Sequence, residues 1–300
     1  MKHDPSDAIV GSYALFPRRL VVNGTPFQAY ICGDLIVDTK HRSLGPAVSL
    51  VKAAIAKCEA DKNSILFGFP NEFSAPVILM SGFKQLSERI KLTKVLRTYP
   101  YLQRHLKYAG ISKTAAYPID ILLSIRFGRT GKRFKNLFHF DVISSFDERF
   151  DRLFEKTVHS FALKGEPSRD YLNWRFMDSP YEKNLIFTME SKLDKSLSGY
   201  IVFCSNQKRC QIVDLGFIDP QETLKLMLSA FHCYQKSQKA EAIAFDFAGD
   251  AQFMNQLLKS GFSVRSRELK TIIYPPSGLK HMVDEIQRGC WYLTAGDNDV

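Results

Sequence analysis

Residues 9–22 and 27–38 are two largely apolar runs, with Asn23-Gly24 between them. Asn-Gly between apolar runs is a strong short-range hairpin signal, so these residues predict two paired strands. A polar loop follows Asp38, and then Val48, Val51 and Ile55 recur at helical spacing over 47–57. The run SILFGF at 64–69 is apolar throughout, as a strand buried on both faces must be. A helix is expected after Asn71, closed by Gly82 as its C-cap, and 89–97 alternates as a strand.

The C-terminal half gives the same order with elements added in front. A strand at 137–143 and a helix at 147–158 (Phe150, Leu153, Phe154 and Val158 on one face) come first, and Ser168 caps a short helix through Trp174. Strands at 184–190, 197–204 and 209–218 lead to a helix at 221–235. A strand at 241–247, a helix at 250–260 ending on Gly261 and a strand near 264–274 complete the unit. The halves can be laid over each other. Gly11-Ser12-Tyr13 falls on Ser198-Gly199-Tyr200, and Asp34-Leu35-Ile36-Val37-Asp38 on the stretch from Asp214 to Asp219. Phe67-Gly68-Phe69 with Ser81-Gly82-Phe83 falls on Phe245-Asp246-Phe247 with Ser260-Gly261-Phe262. Several matches in one order at similar spacing point to an internal duplication of a mixed α/β unit. The expected organisation is a first unit at 1–98, a basic connector at 99–135, a second unit at 136–276 and a docking tail at 277–300.

Composition narrows the class. Hydrophobic content of 45% and charged content of 24% suit a folded globular chain, and no apolar run is long enough for a membrane span. The N-terminus lacks the apolar stretch of a secretory signal. No pair among the six cysteines has C-x-x-C spacing, so reduced core thiols in a reducing, cytoplasmic setting are expected, with no metal site. The formal charge is +10, and 84–135 supplies all of the excess: thirteen Lys or Arg stand there against Glu88 and Asp120. Such a block points to a localised anionic partner.

The most informative stretch is Arg42-Ser43-Leu44-Gly45-Pro46-Ala47, set between a strand and a helix. A Gly-bearing loop entering a helix offers unpaired backbone N–H groups and the positive end of the helix dipole, which suits a pyrophosphate. Gly45 permits close approach to the backbone, Pro46 fits a first turn, and Arg42 adds fixed charge.

On these residues the chain resembles the GNAT acetyltransferase superfamily, whose signature Q/R-x-x-G-x-G/A follows the fourth strand. The later Asn71 … Gly82-Phe83 resembles that family's "N … GF" segment. The resemblance covers 9–97, and 137–275 in architecture only; the tandem arrangement also looks like that of FemABX-like and surface-polysaccharide acyltransferases. It implies an α/β fold of two acyl-CoA N-acyltransferase units, each a mixed, largely antiparallel sheet flanked by helices, the first without its N-terminal elements. It further implies an acyl-CoA co-substrate, in the first instance acetyl-CoA, and a small amine acceptor such as an amino sugar. By position, the main chain of Leu35, Ile36 and Val37 would bind the pantetheine arm. His41 and Arg42 to Ala47 would shape the pyrophosphate loop, and Asn71 would touch the pantetheine or ribose side. Asp34, on the same strand, is the candidate general base. The family's usual Tyr, four residues before the Gly-Phe, is replaced by Ile78. The second unit has Asp219-Pro220-Gln221-Glu222 at the loop position, with no Gly and two acids.

Three further features stand out. Trp174-Arg175 suits a sugar or phosphate as well as it suits a core aromatic beside a solvated Arg. The tail Trp291-Tyr-Leu-Thr-Ala-Gly-Asp297-Asn-Asp299 is expected to dock as a strand or plug, with Asp297 and Asp299 candidates for holding an amine. The segment 117–135 either packs between the units or rests on an anionic membrane face, at the inner side of the membrane. No RNA-binding motif is visible, which weighs against nucleic acid; an aminoacyl-tRNA-dependent transferase and a non-catalytic module of the same fold are the competing functions.

Overall fold

The computed structural model describes residues 2–3, 8–61, 64–99, 136–206, 208–219, 221–275 and 277–298. Most of the expected basic connector, including all of 117–135, and Asp299 lie outside them. The Asn-Gly hairpin forms with β1 (Gly11–Val22) and β2 (Thr25–Val37). Asn23 and Gly24 both take positive φ, 49° and 80°, which matches the right-handed twist of the two strands. Next come α1 (Leu44–Ala60), β3 (Ser64–Gly68), α2 (Ala75–Met80) and β4 (Lys84–Val95). All five β3 residues are buried, as their apolar run requires.

The second half opens with β5 (Phe138–Ile143), α3 (Glu148–Thr157), β6 (Leu163–Gly165) and α4 (Arg169–Leu172), which runs on into a wide turn over 173–177. Ser168 caps α4 by accepting from the Tyr171 N–H. Then follow β7 (Asn184–Ser191), β8 (Leu197–Asn206), β9 (Arg209–Phe217), α5 (Thr223–Ser237), β10 (Ala242–Gly249), α6 (Ala251–Lys259) and β11 (Ser263–Tyr274). The tail adds α7 (Met282–Arg288) and β12 (Tyr292–Thr294).

All twelve labelled strands join one sheet, in the order β5-β7-β8-β9-β10-β4-β11-β3-β2-β1-β6, with β12 paired to β10. Two pairs are parallel, β2 with β3 and β9 with β10; the other strand pairs in this sheet run antiparallel. This is the expected mixed, largely antiparallel α/β architecture. The two units are interlocked at its centre. The last strand of the first unit, β4, lies against β10 of the second, and the last strand of the second, β11, lies against β3 of the first. β4 and β11 then pair with each other. Each unit therefore completes the other's sheet. Phe67 and Phe245, matched in the sequence, each end the parallel ladder of their own unit, opposite Ile31 and Ile212.

Candidate functional site

Past those two phenylalanines the parallel strands part, for a local reason that is the same in both units. β2 carries an extra residue between its pairings Ser12 with Ile36 and Ala14 with Gly33, and β9 carries one, Val213, between Val202 with Asp214 and Phe203 with Ile212. A bulge bends its strand and ends regular pairing, so a wedge opens on the side away from the hairpin partner. Asp34 sits in the first bulge with φ 52°, a left-handed conformation that Asp tolerates better than most residues.

The first wedge is open. It forms a cavity of about 790 Å³ lined by Gly33 to Val37, Arg42, Ser43 and Ala47 on one side and by Phe69 to Asn71, Phe73, Ser74, Val77 and Ile78 on the other. The structure thus brings Asp34, Leu35, Ile36, Val37, Arg42, Ser43, Ala47 and Asn71 around one space. Ile36 is 57% exposed and Phe73 82% exposed, two large apolar side chains offered on opposite sides of the cavity. α1 rises from the edge of this space. Its N-cap Ser43 is extended and makes no side-chain cap hydrogen bond, so the hydroxyl leaves the first-turn amides uncapped. Arg42 is anchored by donation from Nε to the Val37 carbonyl at 3.2 Å. Gly45 and Pro46 lie in the first turn of α1, Gly45 exposed and Pro46 half-buried, and Leu44 opens the helix. His41 stands just outside the cavity lining, its Nδ1 3.2 Å from Asp38. The Lys40 backbone N–H and then His41 hold the Asp38 carboxyl below its ordinary range. Asn71 accepts from the Phe73 and Ser74 N–H groups at 3.0 Å each, which turns the chain into α2.

Sequence reasoning missed Tyr13 and Cys32, which complete the base of the cavity. Burial pushes the Cys32 thiol up to about 12, with Tyr13 partly opposing the rise, and burial pushes the Tyr13 phenol upward too, reinforced there by the nearby Cys32. Both therefore stay protonated at neutral pH. Ile78, where the resemblance would place a Tyr, is buried in the wall. The apolar runs around Asn23-Gly24 place Tyr13 and Cys32 on strands but do not say that the bulge turns both toward one space.

The second wedge is filled. Thr294, Leu293 and Tyr292 of β12 pair with Phe247, Ala248 and Gly249 of β10, and the Tyr292 hydroxyl donates to the Leu215 carbonyl of β9 at 3.1 Å. The tail thus occupies the gap between β9 and β10 as a strand. Asp214 holds it, accepting from Thr294 Oγ1 at 2.8 Å and from the Tyr200 hydroxyl at 3.0 Å. Asp297 is buried in an ion pair with Arg18 of β1, at 2.9 Å, so its carboxylate is engaged inside the protein. Arg18 also stacks over Tyr171, 3.7 Å from the ring centre, and donates to the Glu166 carbonyl at 2.7 Å. Lys164 lies over the Phe161 and Tyr292 rings, and its burial lowers the ammonium to about 8. Trp174 is 60% exposed, and Arg175 reaches the tail.

With this geometry in view, comparison with known proteins is informative. Residues 3–85 match the family described as "Acetyltransferase (GNAT) domain". That match spans both strands, the loop and the two helices that enclose the open wedge. Among solved structures, the chain is similar to a GCN5-related N-acetyltransferase from Anabaena variabilis (11% identity, TM-score 0.58, 89% of this chain and 60% of that one). It is also similar to a conserved protein of Enterococcus faecalis described as a probable N-acyltransferase (12% identity, TM-score 0.60, 90% and 60%). A third is the Saccharomyces cerevisiae N-myristoyltransferase solved with myristoyl-CoA (10% identity, TM-score 0.52, 91% and 68%). At these identities the likeness is one of fold, and the chain spans about 60% of the length of the first two structures. No curated protein matches the sequence. Among the described residues no group of three or more His, Cys, Asp or Glu is placed to hold a metal, and no helix is long and apolar enough to cross a membrane. The cysteines are unpaired, with Cys32, Cys58 and Cys210 buried.

Proposed function

We propose that the chain is an acyl-CoA-dependent N-acyltransferase, acetyl-CoA being its first candidate donor, and that the open wedge of the first unit binds the donor. One observation carries this reading: equivalent wedges in the two units are treated differently, one packed with a strand of the protein's own tail and the other left as a cavity. A pantetheine arm is an extended chain with two secondary amides, so it can satisfy a parted strand much as the backbone of β12 satisfies β10. The main chain of Leu35 to Val37 would pair with it, Ile36 and Phe73 would cover its apolar parts, and Asn71 would stand beside it. Arg42 and the first-turn amides from Ser43 to Ala47 would take the pyrophosphate, with His41 shaping the loop through Asp38.

In the transfer an amine nitrogen bonds to the thioester carbonyl carbon, the C–S bond breaks, the amine loses a proton and the thiolate gains one. Asp34, exposed in the bulge at the head of the wedge, would accept the proton of an ammonium acceptor. Tyr13, protonated at the base, offers the phenolic hydrogen that Ile78 does not. A small polar amine such as an amino sugar fits this scheme, and residues 1–98 and 136–276 act as donor-binding unit and supporting unit, with 99–135 between them.

Thermal melts of the full chain against rising acetyl-CoA test the reading. Stabilisation should grow as RT ln(1 + [L]/Kd), and mixing with glucosamine should release free thiol. A folded protein whose melting point ignores acetyl-CoA up to about 1 mM, a concentration that detects affinities of ~4 kcal/mol or stronger, would sink it.

A further inference from the structure

A second cavity, of about 510 Å³, shares no lining residue with the first. It lies between the wide turn after α4, the start of β7 and the end of the tail, with Arg175, Asn184 and Asn298 in its wall. Each of these three carries a buried polar atom without a hydrogen-bond partner among the described residues: Arg175 Nε, Asn184 Oδ1 and Asn298 Oδ1. The rest of the Arg175 and Asn184 side chains is held in place. Arg175 Nη2 donates to the Ala295 and Asn298 carbonyls at 3.3 and 3.4 Å, and Asn184 Nδ2 donates to the Phe176 carbonyl at 3.0 Å. Asn184 is only 8% exposed.

Buried polar groups are nearly always paired, because an unpaired one forfeits its hydration for nothing. Three orphans around one space are therefore a chemical description of what the space lacks. The guanidinium Nε–H needs an acceptor, and the two amide oxygens need donors. A simple anion serves the first but faces two carbonyl dipoles and the Glu182 carboxylate of the same lining; a simple cation serves the oxygens but faces the guanidinium. Hydroxyl groups do both, donating and accepting within one small molecule. At the mouth, Tyr181 is 82% exposed, and Trp174 adjoins Arg175 in the turn. Aromatic faces left in solvent beside such a site suit the C–H face of a sugar ring.

We infer that this cavity is a binding site for a monosaccharide-sized polyhydroxylated molecule, separate from the donor wedge. The three orphan atoms are buried, so on this proposal a small local shift at Asn298 or the turn brings them to the ligand. The site does not depend on acyl transfer.

The test is a calorimetric titration of the full chain with glucose, glucosamine and N-acetylglucosamine, with inorganic phosphate as the anionic control. At least one sugar should bind with a Kd at or below about 10 mM, a weak but measurable affinity. Tyr181→Ala, at an exposed position, should weaken it about fivefold or more, the scale of one lost contact. Asn298→Leu should abolish it by removing an acceptor and setting an apolar side chain against the sugar hydroxyls. Both variants should keep the apo melting point and the response to acetyl-CoA, which separates this site from the donor wedge. No binding by any of the three sugars, tighter binding of phosphate, or sugar binding indifferent to both substitutions would overturn the proposal. Glucosamine acting only as an acyl acceptor in the first wedge falls under the last of these outcomes.

Discussion

Gly45 and Gly68 differ in what a side chain would meet. A Cβ on Gly68 would lie 2.8 Å from the Cys32 carbonyl oxygen, so packing between β2 and β3 demands glycine there. A Cβ on Gly45 would meet only Ser43 Oγ, at 4.0 Å. Nothing in the protein's own packing requires glycine at 45, and inside a helix Ala is better than Gly by about 1 kcal/mol. Gly45→Ala should therefore melt at the same temperature or slightly higher. If phosphate oxygens approach this backbone, the added methyl group stands in their way, and acetyl-CoA should bind about tenfold more weakly, a loss of ~1.4 kcal/mol. Apo and acetyl-CoA melting curves on one preparation give both numbers. A variant more stable yet unchanged in affinity would show that the diphosphate does not come to this turn.

At the scale of elements, β12 is held in its gap by a carboxyl group under strain. Burial, and then the nearby Asp297, raise the Asp214 carboxyl to about 6. The folded protein thus keeps this proton between about pH 4 and pH 6, where the unfolded chain has already released it. More protons are bound by the native state in that window, so stability falls as pH rises through it and levels off above about 6. Asp214→Asn removes the titration. The Asn loses one accepted hydrogen bond, from Tyr200 or Thr294, at every pH, so the signal is a slope and not an offset. The variant should gain on the wild type by up to about 3 kcal/mol between pH 4 and pH 6.5, at 1.36 kcal/mol per unit. Urea midpoints across that range measure it, and a pH-independent difference would refute the assignment. Much at this scale was legible beforehand. Asn23-Gly24 announced its hairpin, SILFGF its buried strand, and Trp291-Tyr292-Leu293 a tail that docks as a strand. Other elements were not. β4 begins at Lys84, five residues before its clear alternation at Arg89, because Lys84 to Glu88 is nearly all polar and draws its pairing from Ile272 and Ile273 of β11. α7 is seven residues long, too short for periodicity to distinguish it from a loop. The loop residues Arg42 to Ala47 could be named from the local signature of a Gly-bearing helix entry, and the strand residues Leu35 to Val37 only from the resemblance to the GNAT superfamily. Tyr13 and Cys32 could not, since a bulge leaves no mark in the alternation.

At the scale of the whole molecule, the exchange of β4 and β11 is the feature that no periodicity encodes, for an alternating strand reads the same whichever neighbour it takes. Its energetic consequence is that neither unit owns a complete sheet. Residues 1–99 alone would leave β3 and β4 without β11 between them, and β4 without β10, exposing Ile65, Phe67, Ile90 and Leu92, all buried in the intact chain. Four such side chains are worth about 1.5–3 kcal/mol each, as much as a small domain's whole margin of stability. The same holds in reverse for Phe245, Phe247, Ile272 and Ile273 of the second unit. Expressed separately, 1–99 should therefore show no cooperative melt and should aggregate through its open strand edges. Coexpression with 136–300 should recover a one-to-one complex with a single transition, because the exchanged strands need no covalent link to pair. Acetyl-CoA should stabilise that complex and leave 1–99 alone unaffected, since the wedge is framed by β3, which β11 holds in place. A monomeric 1–99 that melts cooperatively and binds acetyl-CoA unaided would show that the donor site is independent of the interlock.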